Sequence, residues 1–173
     1  MNKEIFYDTE IISKTKQLKQ NKKLPIIYVI TTILFCLFLG FFSGRENKKI
    51  EIDNKYINYI QSYGYSYEYS KFVYNNIKKY SKVYSVDKNI VLSIIAIGSK
   101  FNYRAVSKTG NIGLMQIKGI NYYMDTEKLF NIETNISLGC YILMKDGLDK
   151  YCGSQKVKNN IIKNTNNFIF FNK

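Results

Sequence analysis

Residues 90–102 read IVLSIIAIGSKFN, an apolar run that ends on a glycine. Ile90, Val91, Ile94 and Ile95 recur at helical spacing, and Asp87 stands where an N-cap accepts a backbone N–H. The run therefore predicts a buried helix arriving at Gly98. Two readings of that glycine are open. Just past a helix end, glycine tolerates a left-handed backbone and serves as a C-cap. Inside a continuing helix it costs about 1 kcal/mol relative to alanine and stabilises nothing.

Helical patterning continues on both sides of this run. Upstream, Val73, Ile77, Tyr80 and Tyr84 recur at spacings of four, three and four, predicting an amphipathic helix from about 72 to 84. Downstream, Ile136, Cys140, Leu143 and Met144 fall on one side of a helix from about 132 to 150. No stretch alternates as a strand does, and there is no internal repeat, so the expected class is mainly α.

Leu24–Phe42, LPIIYVITTILFCLFLGFF, is a nineteen-residue stretch without a charge, flanked by KQNKK and SGRENKK. About 20 such residues cross the hydrocarbon core as a helix. A buried soluble helix would carry a polar stripe, and a cleaved signal would be shorter, with a small-residue cleavage site after it. Bulky Phe35 before Cys36 argues against lipidation there. Lys14, Lys16, Lys19, Lys22 and Lys23 precede the span, and Arg45, Lys48, Lys49 and Lys55 follow it. That balance barely favours an inside amino terminus.

Lys and Arg outnumber Asp and Glu by 26 to 13, a formal net charge of +13 on 173 residues. An anionic partner and AT-biased coding, which enriches Lys, Asn, Ile and Tyr at the expense of Arg, both account for the excess. No nucleic-acid recognition motif accompanies the charge, so nucleic acid is not expected as a partner. The chain contains no histidine, which excludes Ser-His and Cys-His nucleophile pairs and every His-containing zinc site. Cys36, Cys140 and Cys152 show neither paired spacing nor a partner cluster, so no metal and no cofactor is expected.

From Ile90 to Leu143 the residues also fall into an ordered set of motifs. Ser99, Phe101 and Asn102 are followed by Ala105-Val106-Ser107, Gly110 and Gly113-Leu114-Met115-Gln116. Further on, LFNIETNISLGCYIL places Asn135, Ile136, Gly139 and Leu143. This set resembles the lytic transglycosylase (SLT, goose-lysozyme-like) domain, whose pattern is Glu-Ser-x-Phe-Asn, Ser, Gly, Gly-Leu-Met-Gln and later Asn-Ile-x-x-Gly. The register needs no gap between Gly98 and Gln116, and it puts Gly98 where the family has its catalytic glutamate.

The resemblance implies a lysozyme-like helical domain acting on peptidoglycan. Family members cleave between N-acetylmuramic acid and N-acetylglucosamine and form an anhydro end, with one glutamate serving first as acid and then as base. Such chemistry needs a carboxyl kept protonated in a partly apolar cleft, and glycine has no side chain to offer. By the same resemblance Ser99, Met115 and Gln116 are substrate-binding residues, Ser99 steadying the reacting centre, and Asn135 is chiefly structural. Glu127 and Glu133 are the nearest candidates for a substitute carboxylate, and both also suit exposed helix starts. The family's Ala-Tyr-Asn-x-Gly segment is missing after Tyr151, where CGSQKVKNNIIKNTNNFIFFNK follows.

The expected organisation is a basic tail (1–23), a transmembrane anchor (24–42), a polar Tyr-rich stalk (43–70), a lytic transglycosylase-like domain (71–152) and a divergent or truncated tail (153–173). The polar KVKNNIIKNTNN and apolar FIFF read either as a divergent closing helix or as a tail left by truncation or frameshift, and the latter would leave part of the core uncovered. The function expected is that of a membrane-anchored, catalytically impaired transglycosylase-like protein, a pseudoenzyme that still binds glycan strands, with its domain facing the periplasm or cell wall. Two alternatives stand beside it: an active lyase using a substitute carboxylate, and a non-catalytic envelope interaction protein. The sequence identifies no protein partner.

Overall fold

The computed structural model describes the backbone of residues 4–119 and 125–168, with side chains from Ile27 onward within those ranges. The side chains of the basic tail 1–23 and Ile169–Phe171 of the closing FIFF lie outside the described residues. The chain forms two compact units, Met1–Ile50 and Glu51–Lys173. Helix α1 (Glu4–Gln61) contributes to both.

In the first unit the described apolar side chains of α1, from Ile27 onward, are exposed and meet only neighbours on the same helix, as Phe38 meets Phe42 at 4.7 Å. Leu34, Phe35, Leu37 and Phe38 are all more than half exposed. The segment from Ile27 contains an 18-residue window of mean hydropathy 2.1, none of it buried, so the helix is long and apolar enough to cross a membrane.

The second unit begins within the expected stalk, and here the structure corrects the sequence reading. Residues from Glu51 to Gln61 continue α1, and Tyr56, Ile57 and Ile60 are core residues. Tyrosine deceives in a stretch such as YINYIQSYGYSYEYS because it buries a ring while its hydroxyl keeps a partner. Tyr56 stacks on Tyr74 at 5.1 Å between ring centroids and donates a 2.7 Å hydrogen bond to Asn89 Oδ1. The Tyr74 hydroxyl donates to Asp53, whose other oxygen pairs with Lys78.

Ser66 caps α2 (Tyr67–Val83), which buries Val73, Tyr74 and Ile77. Asp87 caps α3 (Lys88–Gly98) by accepting the Asn89 N–H at 2.8 Å, and Val91, Ile94 and Ile95 enter the core. A short hairpin follows, β1 (Asn111–Ile112) antiparallel to β2 (Ile117–Lys118), with Asn111 opposite Lys118 and Ile112 opposite Ile117. Two-residue strands leave no alternation to read, which is why the sequence gives no sign of them.

Helix α4 (Thr126–Phe130) leads through Asn131 into α5 (Ile132–Cys152), which is broken at Gly147, where φ is 73° and ψ 168°. Ile136, Cys140 and Leu143 are buried as expected, whereas Met144 is 49% exposed. The last described element, α6 (Gln155–Asn166), corrects the expectation of a tail that leaves the core uncovered. It packs on α3, with Ile161 buried and Thr165 Oγ1 donating to Ser93 Oγ at 2.9 Å. Phe168 is fully buried, its ring edge-on to Tyr59 at 4.8 Å. One buried isoleucine and a phenylalanine seven residues on dock this otherwise polar segment.

Candidate active-site cleft

The Gly113–Gln116 loop joins the two short strands, and its position is set by the helix that follows. Asn135, 1% exposed, accepts the Met115 N–H at 2.7 Å and donates to the carbonyls of Ile112 (3.1 Å) and Leu129 (2.9 Å). Its amide thus satisfies three buried backbone groups at once, each of which would otherwise carry a desolvation cost. Gly113 has φ +78°, and a Cβ there would lie 2.2 Å from Asn135 Nδ2 and 2.6 Å from the Leu129 carbonyl oxygen. At Gly139 a Cβ would meet Met115 Sδ at 2.3 Å. The glycines and the asparagine of the motif therefore hold the loop against α5, in keeping with the structural role expected of Asn135.

Gly98 is different in kind. It is the last residue of α3, it does not adopt a positive φ, and an added Cβ would face Gln116, 3.0 Å from Cγ and 3.7 Å from Cβ. The helix is closed by the Ser99 N–H on the Ile95 carbonyl at 3.1 Å, and the left-handed turn beyond it is made by Lys100 (φ 52°) and Phe101 (φ 62°). The C-cap reading of Gly98 is thus corrected: the residues that need the left-handed backbone are not glycine, and the glycine does not need it. Phe101 adopts that conformation with its ring wholly buried.

Gly98 is exposed and lines a cleft of about 220 Å³ with Met115, Gln116, Tyr151, Cys152 and Val157. A neighbouring hollow of about 160 Å³ shares Gln116 and Tyr151 and adds Lys118 and Asp146. The two hollows meet at Gln116, whose backbone has φ 52° and whose Nε2 donates to the Gly113 carbonyl at 2.9 Å. Tyr151 donates to the Met115 carbonyl at 2.6 Å, tying the far end of α5 to the loop.

Of the residues expected at the site, the structure brings Gly98, Met115 and Gln116 together. Ser99 it does not: that side chain is 6% exposed, its hydroxyl donates to the Ile95 carbonyl at 3.0 Å, and it is not among the residues lining the cleft. Glu127 and Glu133 are both exposed, first-turn residues of α4 and α5, and neither lines the cleft. Glu133 accepts from Lys79 Nζ at 2.7 Å and from the Tyr80 hydroxyl at 2.5 Å. The Lys79 ammonium, and then Tyr80, hold its carboxyl below the ordinary value, the opposite of what a general acid requires.

Tyr151 and Asp146 are cleft residues that the sequence does not reveal. No local pattern marks them, because Tyr151 meets the loop through a bond to a residue 36 positions away and Asp146 lines only the neighbouring hollow. The three cysteines are free thiols. Burial pushes the Cys140 thiol up to about 12, as befits a packing residue.

Chemically, the cleft offers amide and hydroxyl groups beside apolar surface, and at Gly98 no ionisable group.

Residues 75–160 match the family model described as Transglycosylase SLT domain. The chain is also similar to the membrane-bound lytic murein transglycosylase E of Buchnera aphidicola subsp. Baizongia pistaciae (strain Bp), with 36% identity over 94 residues. That match takes in 54% of this chain and 42% of the relative, so the chain spans less than half the length of the protein it matches. No solved structure matches. The two matches support the transglycosylase SLT family for the second unit.

Proposed function

We propose that this chain is a membrane-anchored lytic transglycosylase-like protein that binds glycan strands of peptidoglycan and cleaves them poorly or not at all. The observation that carries the reading is the setting of Gly98. It opens on the cleft, faces Gln116, and has a helical backbone that any residue adopts. The backbone does not require glycine there, and an added Cβ would press only on the Gln116 side chain, while the resemblance assigns that position to the catalytic acid. General acid–base assistance is worth about 100- to 10,000-fold in rate, so its loss leaves residual activity at most. Binding rests on other groups, chiefly Gln116 and Tyr151, which remain, while the fully buried Met115 supports the loop from beneath.

On this reading α1 crosses the cell membrane once with its amino end inside, and the second unit faces the periplasm or cell wall. The length and hydropathy of the segment support the anchor; the relative's name, with its murein substrate and membrane attachment, supports the setting.

One observation favours a second reading, in which the chain remains an active lyase. Asp146 is a carboxylate lining the hollow beside Gln116, and it replaces Glu127 and Glu133 as the candidate substitute.

The deciding experiment is mass spectrometry of products released from purified peptidoglycan by the full chain in detergent, beside its Gly98→Glu and Asp146→Asn variants. Anhydro-muramic products from the Gly98→Glu form alone are expected. Products from the unaltered chain that vanish with Asp146→Asn overturn the impaired reading in favour of the second.

A further inference from the structure

A larger hollow, of about 520 Å³, lies between α2 and α5 and shares no lining residue with the Gly98 cleft. It is walled by Tyr80, Tyr84, Glu133, Thr134, Ser137 and Tyr141. The rings follow one another: Tyr80 and Tyr84 are 6.4 Å apart and nearly parallel, and Tyr84 and Tyr141 are 6.0 Å apart and edge-on. Lys79 Nζ sits 4.7 Å from the centre of the Tyr80 ring and also pairs with Glu133, which fixes that end of the groove. Tyr84 and Tyr141 lie beyond it, and Tyr141 is 38% exposed.

From this arrangement we infer a second carbohydrate site, in which one sugar of a β-1,4-linked N-acetylhexosamine strand stacks on the exposed Tyr141 and its neighbour packs against the edge of Tyr84. The inference rests on the reading that the protein binds peptidoglycan glycan. The chemistry of the groove selects the ligand. Pyranose rings present apolar C–H faces to aromatic rings while their hydroxyl and amide edges need hydrogen-bond partners, and Thr134, Ser137 and the Tyr84 hydroxyl stand at those edges. The Lys79–Glu133 pair makes that end neutral overall, which suits an uncharged chain. A phosphate-rich polymer would meet the Glu133 carboxylate, and an acyl chain would have to desolvate an ion pair and two hydroxyls. The groove's separation from the Gly98 cleft makes it an additional grip, so a strand held here stays near the domain whatever happens at Gly98.

The test is calorimetric titration of the full chain in detergent micelles with chitohexaose, the six-residue β-1,4 N-acetylglucosamine oligomer. Two sites are expected in the unaltered protein. Tyr84→Leu with Tyr141→Leu should weaken one of them about tenfold, the combined loss of two ring contacts, and leave the site sensitive to Gln116→Ala intact. Tyr141→Phe, which keeps the ring, should bind like the parent and so guards against a folding artefact. Binding that Gln116→Ala abolishes and the paired leucines leave unchanged overturns the groove and keeps the cleft. Binding that only the leucine pair abolishes keeps the groove and overturns the cleft. Loss with Tyr141→Phe equal to that of the leucine form overturns stacking, and no binding by the parent overturns both sites.

Discussion

Gly98 lines the cleft and Gly113 begins the loop that brings Gln116 to it, and each comes from a recognisable motif, yet they are glycine for opposite reasons. At Gly113 the backbone is left-handed and a Cβ would strike a buried amide and a carbonyl oxygen. At Gly98 the backbone is helical, the position is exposed, and a Cβ would only press on a glutamine side chain. One region is a scaffold in which every atom is spoken for. The other is an exposed helix end where an added Cβ would meet the Gln116 side chain at 3.0 Å. The two glycines are therefore separable by substitution: one is held by its backbone and its buried neighbours, the other only by a contact with a side chain.

Substitutions on the two sides should separate them. The largest effect is expected from Gly113→Ala, which combines a forbidden overlap with an unfavourable φ and should cost about 3 kcal/mol or more in thermal or denaturant unfolding. Thiol labelling at pH 8 offers a second readout. Cys140, its titration pushed up to about 12 by burial, should resist alkylation in the parent and label readily in this variant. An unchanged melting temperature would break the comparison at its firmer end.

Asn135→Ala comes next. It removes one acceptor and two donated hydrogen bonds from buried backbone groups, and about 2–4 kcal/mol of stability should go with them. Glycan binding should fall in parallel, because the Met115–Gln116 backbone loses its support.

Gly98→Ala should change stability by about 1 kcal/mol or less. A gain in helix propensity is set against a shift of a few tenths of an ångström by Gln116. A loss as large as that of Gly113→Ala would show that glycine is structurally required there after all.

The smallest effect is expected outside both regions, at the exposed Glu133. Its carboxyl titrates below the ordinary value of 4.5 because of Lys79 and then Tyr80. The pair's contribution is therefore complete above that ordinary value and is lost as pH falls through the depressed one. Lys79→Met should flatten the acid limb of a stability–pH curve slightly, and added salt should shrink the difference.

Much of the fold was legible in the order of residues. The apolar run of α3, its Asp87 cap, the buried stripe of α5 and the uncharged stretch 24–42 all follow from local spacing, because helix faces and spans are local properties. The glycine and asparagine motif positions were visible too, through resemblance. Their physical meaning was not: Asn135 binds backbone groups 6 to 23 residues away, and no window of sequence contains both ends of such a bond. The same limit hid the burial of Tyr56, the docking of α6 and Phe168, and the arrival of Tyr151 and Asp146 at the cleft. It also left Gly98 with two readings, since a helix C-cap and a helical position differ only in a dihedral angle. The sequence by itself determined which residues are apolar, charged or absent, and so ruled out histidine chemistry. Only the tertiary structure decided which glycines are required, because that depends on what each missing Cβ would have touched.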